Sequence, residues 1–382
     1  MYALAAAVAV VPGREGERPM RPTNYIAFDV HCAFCEGGWV TQSGREKNSW
    51  RLATAIPALS EAVRSVPRPR LLVIEEGPLA DWLARELSGD VDQVVVADPY
   101  RNALIAKEGD KDDPIDWRKL AHLARGGYVK PVHHGGDLER AVFKQHVQLY
   151  HRRVRLKTAE ALRVVWRLRR FGLTRLRVKD LAGDRAALLA RLPDSDLLRR
   201  GVRSMLEAYD QASAHAERAR RGMAKAARAY EPVARFCALP RVKVVRASSF
   251  FAIVDTPFRF KSKQALWKYM GVGLERRRSG EGPLRLRVPG RCNRLLKSVI
   301  LGAAKSAIAS GGNPFADQYE RWLGMGRSPR VARRNVARSM AAVMWGEASP
   351  APGMWKSGSA YDPTLVGPAP PACELTGAGR RR

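Results

Sequence analysis

Between Asn24 and about Val129 the apolar positions come in short runs separated by amphipathic stretches. "YIAFDVH" is a run of β-formers ending on Asp29, and "GGWVTQ" reads as its hairpin partner. "RLLVIEE" and "DQVVVADP" read as buried strands, the second closed by Pro99. Helical spacing falls between and after them, from Ile56 to Val66, from Pro78 to Leu87, and from Asp113 onward, where Trp117, Leu120 and Leu123 recur on one side. This alternation predicts an α/β domain built on a mixed sheet.

From Gly136 to about Pro232 the strand signals fade. "LKTAEALRVVWRLRR" and "AERARRGMAKAARAY" space their apolar residues near three and four, which predicts long basic helices in a helical pair or coiled coil, broken around Gly172–Leu173 and Pro193. A third, mostly helical region runs from about Arg235 to Glu347. The expected divisions are 1–23, a disordered extension; 24–135, the α/β domain; 136–232, the basic connector; 233–347, a mostly α-helical C-terminal domain; and 348–382, a Pro/Gly/Ser-rich disordered tail.

Charge narrows the partners. The chain carries 67 Lys+Arg against 37 Asp+Glu, a net +30 spread along its length, so a polyanion is the leading partner and nucleic acid outranks a membrane surface. With 46% hydrophobic residues it can bury ordinary cores, which excludes a simple basic tail. No apolar run reaches the roughly 18 residues that a membrane span requires. The apolar opening lacks a basic n-region and Met20 begins a more usual start, so residues 1–19 read as an upstream extension rather than a signal peptide. Five scattered cysteines point to a reducing cytoplasm, and Cys32-x-x-Cys35 finds no second ligand pair at zinc spacing.

Against this basic background, acids at particular places stand out. Asp29 ends one predicted strand, Glu75 and Glu76 end another, and Asp113 and Asp116 open a helix one turn apart. Spacing alone leaves two readings of the last pair: acids favoured by the helix macrodipole, or carboxylates for a hard divalent cation. Strand C-termini in an α/β sheet converge on one edge, and acids gathered there repel unless a cation neutralises them. Two-metal phosphoryl-transfer sites are built from such sets.

Ser279 lies in a Gly-bounded loop between Arg276, Arg277 and Arg278 on one side and Arg285, Arg287 and Arg291 on the other. A serine becomes a useful nucleophile when a base or metal activates it and cations steady the phosphoryl group. The same residues also read as a turn serine in a basic nucleic-acid-binding loop. His133-His134 reads as a turn, and Phe260, Trp267 and Tyr269 as core aromatics that are alternatively base-stacking platforms. No GxxxxGK[ST] phosphate loop is present.

"YIAFDVH", "VIEEG" and "KDDPIDWRKLA" resemble the three signature blocks of the RuvC-like, RNase H-like DEDD domain of bacterial insertion-sequence transposases, in the family numbered one hundred and ten and described as bridge-RNA-guided recombinases. In the third block Lys111, Asp113, Ile115 and Asp116 match, while Asp112 and Trp117 replace the family's Thr and Ala. In the second, two glutamates precede Gly77, and Glu75, which directly follows the apolar run, takes the family's position with Glu76 as the alternative. Gly273-Leu274, Ser279-Gly280 and "RCNRLLKSVILGAA" are similar to the loop and helix of the family's second domain. The chain departs at "LPRVKVVRAS", where Arg241 and Lys243 stand in place of the glycines of a helix-hairpin-helix turn.

The resemblance implies a DNA transposase/recombinase, with Ser279 as covalent nucleophile and Asp29, Glu75, Asp113 and Asp116 holding Mg2+. Arg276, Arg277, Arg278, Arg285, Arg287, Arg291, Arg241 and Lys243 would meet nucleic acid. Its partners would be donor and target DNA, a structured guide (bridge) RNA and further copies of itself, as a dimer or tetramer, in a bacterial cytoplasm at the nucleoid. Two other readings remain open on the residues alone: a metal-dependent Holliday-junction-type nuclease using water, and a non-catalytic nucleic-acid scaffold.

Overall fold

Alternation along the strands sets the layers of the N-terminal unit. The computed structural model describes residues 21–103, 113–277, 285–346, 354–363 and 366, with the side chains of 103, 113–116, 277 and 285 outside that description. The chain divides into two units, 1–138 and 139–382.

In the first unit, β1 (Asn24–Val30), β2 (Phe34–Thr41) and β3 (Glu46–Ala53) are followed by α1 (Ile56–Arg64), β4 (Arg70–Glu75), α2 (Ala80–Glu86) and β5 (Gln93–Ala97). Then come α3 (Pro99–Ala103), α4 (Asp113–Arg125) and the short β6 (Pro131–Val132). The sheet order is β3-β2-β1-β4-β5-β6. β1, β4 and β5 run parallel, whereas β2 is antiparallel to both neighbours and β6 antiparallel to β5. The predicted mixed sheet is therefore present.

Successive side chains leave a strand on opposite faces. Ile26, Phe28, Leu72, Ile74, Val94 and Val96 join Leu59, Val63 and Leu83 in one buried layer. Tyr25, Ala27, Leu71, Val73, Val95 and Ala97 join Trp117, Leu120 and Ala121 of α4 in the other. Burial on both faces explains why these strands read as unbroken apolar runs. Two glycines let the layers close. A Cβ on Gly37 would lie 2.2 Å from the Phe28 ring, and one on Gly38 would lie 2.4 Å from both the Trp117 ring and the Asn48 carbonyl. β3 is the strand that the apolar pattern does not announce. It lies at the sheet edge and is largely exposed, so it carries no apolar run.

The second unit opens with α5 (Leu138–Arg169), followed by α6 (Arg185–Ala190) and α7 (Asp196–Ala226). The long α5 and α7 share a core of Val164, Val165, Leu168, Val202, Leu206 and Tyr209. Their opposite ends, through Phe143, Val147, Met223 and Ala227, belong to the core of the C-terminal helices. Ser195 caps α7, its Oγ accepting from the Leu198 amide at 3.3 Å. The breaks fall at the turns around Gly172 and Pro193, as the sequence predicts.

Beyond them stand α8 (Glu231–Phe236), α9 (Val244–Val254), α10 (Lys263–Tyr269), the hairpin β7 (Glu275–Arg277) and β8 (Arg285–Arg287), α11 (Arg294–Ser310), α12 (Pro314–Gly324), α13 (Pro329–Trp345) and α14 (Met354–Ser357). The central helix is α9, buried from Ala247 to Val254. Part of the stretch expected as a tail is folded. Met354 of α14 is fully buried and Trp355 packs on Phe236, Phe250 and Phe251, because aromatic contacts anchor this segment despite its Gly/Pro-rich surroundings. Residues 1–20 and 367–382 of the expected extension and tail lie outside the described residues.

Candidate catalytic edge and nucleic-acid surface

Strand register brings the first two predicted acids together. Phe28 of β1 pairs with Ile74 of β4 in the last step of their parallel ladder, so Asp29 and Glu75 follow side by side at the C-terminal edge. Asp29 is two residues beyond Ala27 and Glu75 two beyond Val73, which places both on the face covered by α4.

The direction of α4 follows from its contacts. Arg118 Nε lies 3.0 Å from Glu46 Oε2, and Arg125 Nη1 donates to the Gln42 carbonyl at 3.4 Å. Glu46 is paired through Val40 with Tyr25, near the start of β1. Trp117, nearer the start of α4, sits over Gly38, the partner of Ala27. The helix thus runs against β1 and begins at the edge where Asp29 and Glu75 stand. Asp113 and Asp116 occupy that first turn, and their side chains lie outside the description.

Neighbouring groups separate the acids by environment. His31 Nε2 lies 3.2 Å from Asp29 Oδ2, and Glu36, the register partner of Asp29, pairs with Arg51 at 2.6 Å. Glu76 receives His134 Nε2 at 2.5 Å, while His134 Nδ1 lies 3.1 Å from Asp81 Oδ1 and Asp81 in turn pairs with Arg85. Burial disfavours the imidazolium of His134, yet its bonds to Glu76 and Asp81 outweigh this and raise its pKa. Burial likewise works against the Asp81 carboxylate, but His134 and Arg85 hold its pKa below the usual range. His134 is therefore bound into a structural chain with Glu76, a role that sequence spacing alone did not reveal.

Asp29 and Glu75, with the two aspartates that open α4, are the donors that suit a hard, oxygen-seeking divalent cation. Among the described residues no group of three or more His, Cys, Asp or Glu side chains is drawn together as a metal site. The CxxC does not supply one. Cys35 is buried in the core with its Sγ 3.4 Å from Thr54 Oγ1 and its thiol pushed up by burial, whereas Cys32 is exposed.

In the second unit the predicted arginines cluster around the hairpin. Glu275 pairs with Arg287, Arg276 with Leu286 and Arg277 with Arg285. Arg276, Arg287 and Arg291 are exposed. Arg278 and Ser279 lie outside the described residues. Asn293 caps the next helix, its Oδ1 accepting from Leu296 N at 2.9 Å while its Nδ2 donates to Tyr269 Oη at 3.1 Å. Phe260, Trp267 and Tyr269 pack against the core, as the plainer sequence reading has it.

Arg241 adopts φ +60°, in the left-handed region that favours glycine. Beside it opens a pocket of about 550 Å³ lined by Tyr150, Arg241, Lys243, Arg246, Ser306 and Ser310. Arg246, which the sequence reading did not single out, donates from Nη1 to the Arg241 carbonyl at 2.7 Å and from Nη2 to Ser306 Oγ at 2.9 Å. Burial lowers its pKa. A pocket with three cationic side chains and no acid in its lining is suited to an anion.

Residues 233–320 match the Transposase IS116/IS110/IS902 family. The matched segment runs from α8 into α12 and includes Arg241, Lys243, the hairpin and Ser279. This similarity supports a transposase or recombinase function. No curated protein matches the chain. Among the described residues no helix is long and apolar enough to cross a membrane.

Proposed function

We propose that the protein is an RNA-guided DNA transposase/recombinase that cuts and rejoins DNA through a serine. The observation that carries the reading is the family match of residues 233–320, which contains both Ser279 and the basic hairpin. The strand order and directions of the first unit, with β1, β4 and β5 parallel and β2 reversed, support its RNase H-like, RuvC-like assignment. The net charge of +30 supports nucleic acid as partner.

Asp29, Glu75, Asp113 and Asp116 would hold Mg2+, with Glu75 preferred over Glu76 because it directly follows the apolar run of β4. Bound there, the ion would supply Lewis-acid polarisation of a phosphoryl oxygen and stabilise the leaving oxygen. Ser279 Oγ attacks the phosphorus of a DNA phosphodiester. An Oγ–P bond forms as a P–O bond to deoxyribose breaks, the serine loses its proton and the departing hydroxyl gains one. Arg276, Arg277, Arg278, Arg285, Arg287 and Arg291 offer charge-assisted hydrogen bonds to the phosphoryl oxygens. The phosphoserine ester conserves the bond, so a second deoxyribose hydroxyl can displace the serine without a nucleotide cofactor. The guide RNA lies on the arginine-rich faces of α5 and α7, and the enzyme works as a homo-oligomer, dimer or tetramer.

The test is reconstitution. Protein, Mg2+, donor and target DNA, and RNA transcribed from the non-coding DNA flanking the gene should together yield joined junctions, detected by sequencing. Omitting RNA or chelating Mg2+ should remove them. Cleaved, unjoined ends formed without RNA would instead mark a nuclease.

A further inference from the structure

α13 carries Arg330, Arg333, Arg334 and Arg338 and has no acidic residue. Arg330, Arg334 and Arg338 are spaced by four, so they form one row along the helix. Arg330 is exposed and the other two are half-buried. Arg338 is fixed in place: its Nε donates to the Val272 carbonyl at 2.6 Å and its Nη1 to Asn335 Oδ1 at 2.9 Å. Of the five N–H groups on a guanidinium, the remaining three make no hydrogen bond among the described residues, and its Cζ lies 5.9 Å from the centre of the Trp267 ring. Val272 stands three residues before β7, so the row ends beside the entry to the hairpin.

Among the described residues no counter-charge pairs with this row. Among the described residues none of the three arginines has a carboxylate partner. Asp317 and Glu320 of α12 are exposed and form no ion pair with them, and α10 contributes only Lys263 and Lys268 as charged groups. Burial and the neighbouring Arg334 push the pKa of Arg338 down to about 10, and burial and Arg330 lower that of Arg334. Like charges held together at the cost of desolvation are stabilised when an anion arrives.

We propose that Arg330, Arg334 and Arg338 are a phosphate-binding row that grips the DNA backbone beside the β7–β8 hairpin. The row lies outside the segment that matches the family. The proposal rests on the reading of the protein as an enzyme acting on DNA and deepens it. DNA rather than RNA is the expected ligand, because the row ends beside the hairpin between whose strands Ser279 falls in the sequence. Backbone contacts position a duplex without reading its sequence, so the row should act alike on all sequences.

The experiment measures binding of the full-length protein to a labelled random-sequence DNA duplex and, separately, to the guide RNA, as a function of salt. The double variant Arg330→Gln/Arg334→Gln should reduce the slope of log K against log salt for DNA by about two, one for each lost phosphate contact, and leave the RNA slope unchanged. Arg334→Lys, which keeps the charge, should hold the parent slope. Thermal stability of the double variant should not fall, since the substitution removes repulsion. A parent that binds DNA steeply with salt while the double variant keeps its slope overturns the row alone. A loss confined to RNA also overturns it. A parent without DNA affinity overturns the proposed function together with the row.

Discussion

Asp29 and Glu75 stand level with each other on one face of the sheet, one residue past Phe28 and Ile74, the last pair that joins their strands. α4 begins at the same edge with Asp113 and Asp116, so four acids separated in the sequence are delivered to one end of one layer by register and helix direction. If these acids serve a metal, replacing any of Asp29, Glu75, Asp113 or Asp116 by its amide should abolish strand cleavage. Because each amide keeps the size of the acid that it replaces, thermal stability should shift by no more than about 0.5 kcal/mol. Glu76→Gln should retain cleavage while freeing His134. Cleavage assays beside denaturation curves check all five variants, and unchanged recombination in the Asp113 and Asp116 variants would contradict the metal assignment.

Trp117 keeps α4 in register with that edge. It is almost fully buried and fills the space above Gly38. Trp117→Ala should cost about 3–5 kcal/mol, as large aromatic deletions do. Gly38→Ala, whose new methyl would meet the Trp117 ring and the Asn48 carbonyl at 2.4 Å, should cost about 1–3 kcal/mol by overpacking. Urea denaturation measures both.

His151 ties α5 to α9, its Nε2 lying 2.8 Å from Ser249 Oγ. Burial and then the nearby Arg155 lower its pKa. The folded state therefore prefers the neutral ring, and the unfolded chain binds the proton more readily. The stability linked to this group is present above the unfolded value of about 6.5 and is lost as pH falls through the lower folded value. Denaturation midpoints should fall below that pH, and His151→Gln should flatten this part of the profile.

RNA binding by α5 and α7 should be mainly electrostatic. Arg152, Arg155, Arg167 and Arg170 are exposed, and among the described residues they form no ion pair. Affinity for the guide RNA should fall steeply between about 50 and 200 mM salt, and each Arg→Gln change in this set should reduce the salt slope by about one. Filter binding across the salt range decides it, and a flat dependence counts against the reading.

Much of this was legible in the sequence where burial leaves a strong mark. The runs around Ile26, Leu72 and Val95 became strands covered on both faces, and Trp117 and Leu120 became buried residues of α4, where Ala121 joins them in place of the expected Leu123, which is half-buried. β3 was not legible, because an edge strand facing solvent has no apolar run. The hairpin of Glu275–Arg277 and Arg285–Arg287 escaped for a similar reason, its residues being mostly charged. Neither could local spacing show that His134 meets Glu76 across 58 residues, or that Arg246 joins Arg241 and Lys243 around one pocket. The positive φ of Arg241 was foreshadowed only by the glycine that the resemblance places there.

The serine is the centre of the account, and the most direct measurement is a covalent one. The protein is mixed with guide RNA, Mg2+ and end-labelled DNA, quenched in denaturant, and searched for a protein–DNA adduct whose attachment is mapped by mass spectrometry. The account predicts an adduct on Ser279, and it predicts that Ser279→Ala binds RNA and DNA normally but forms no adduct and exchanges no strands. Recombination by that variant, cleaved DNA without any adduct, or attachment at a tyrosine or at the fully buried Ser248 or Ser249 would contradict it.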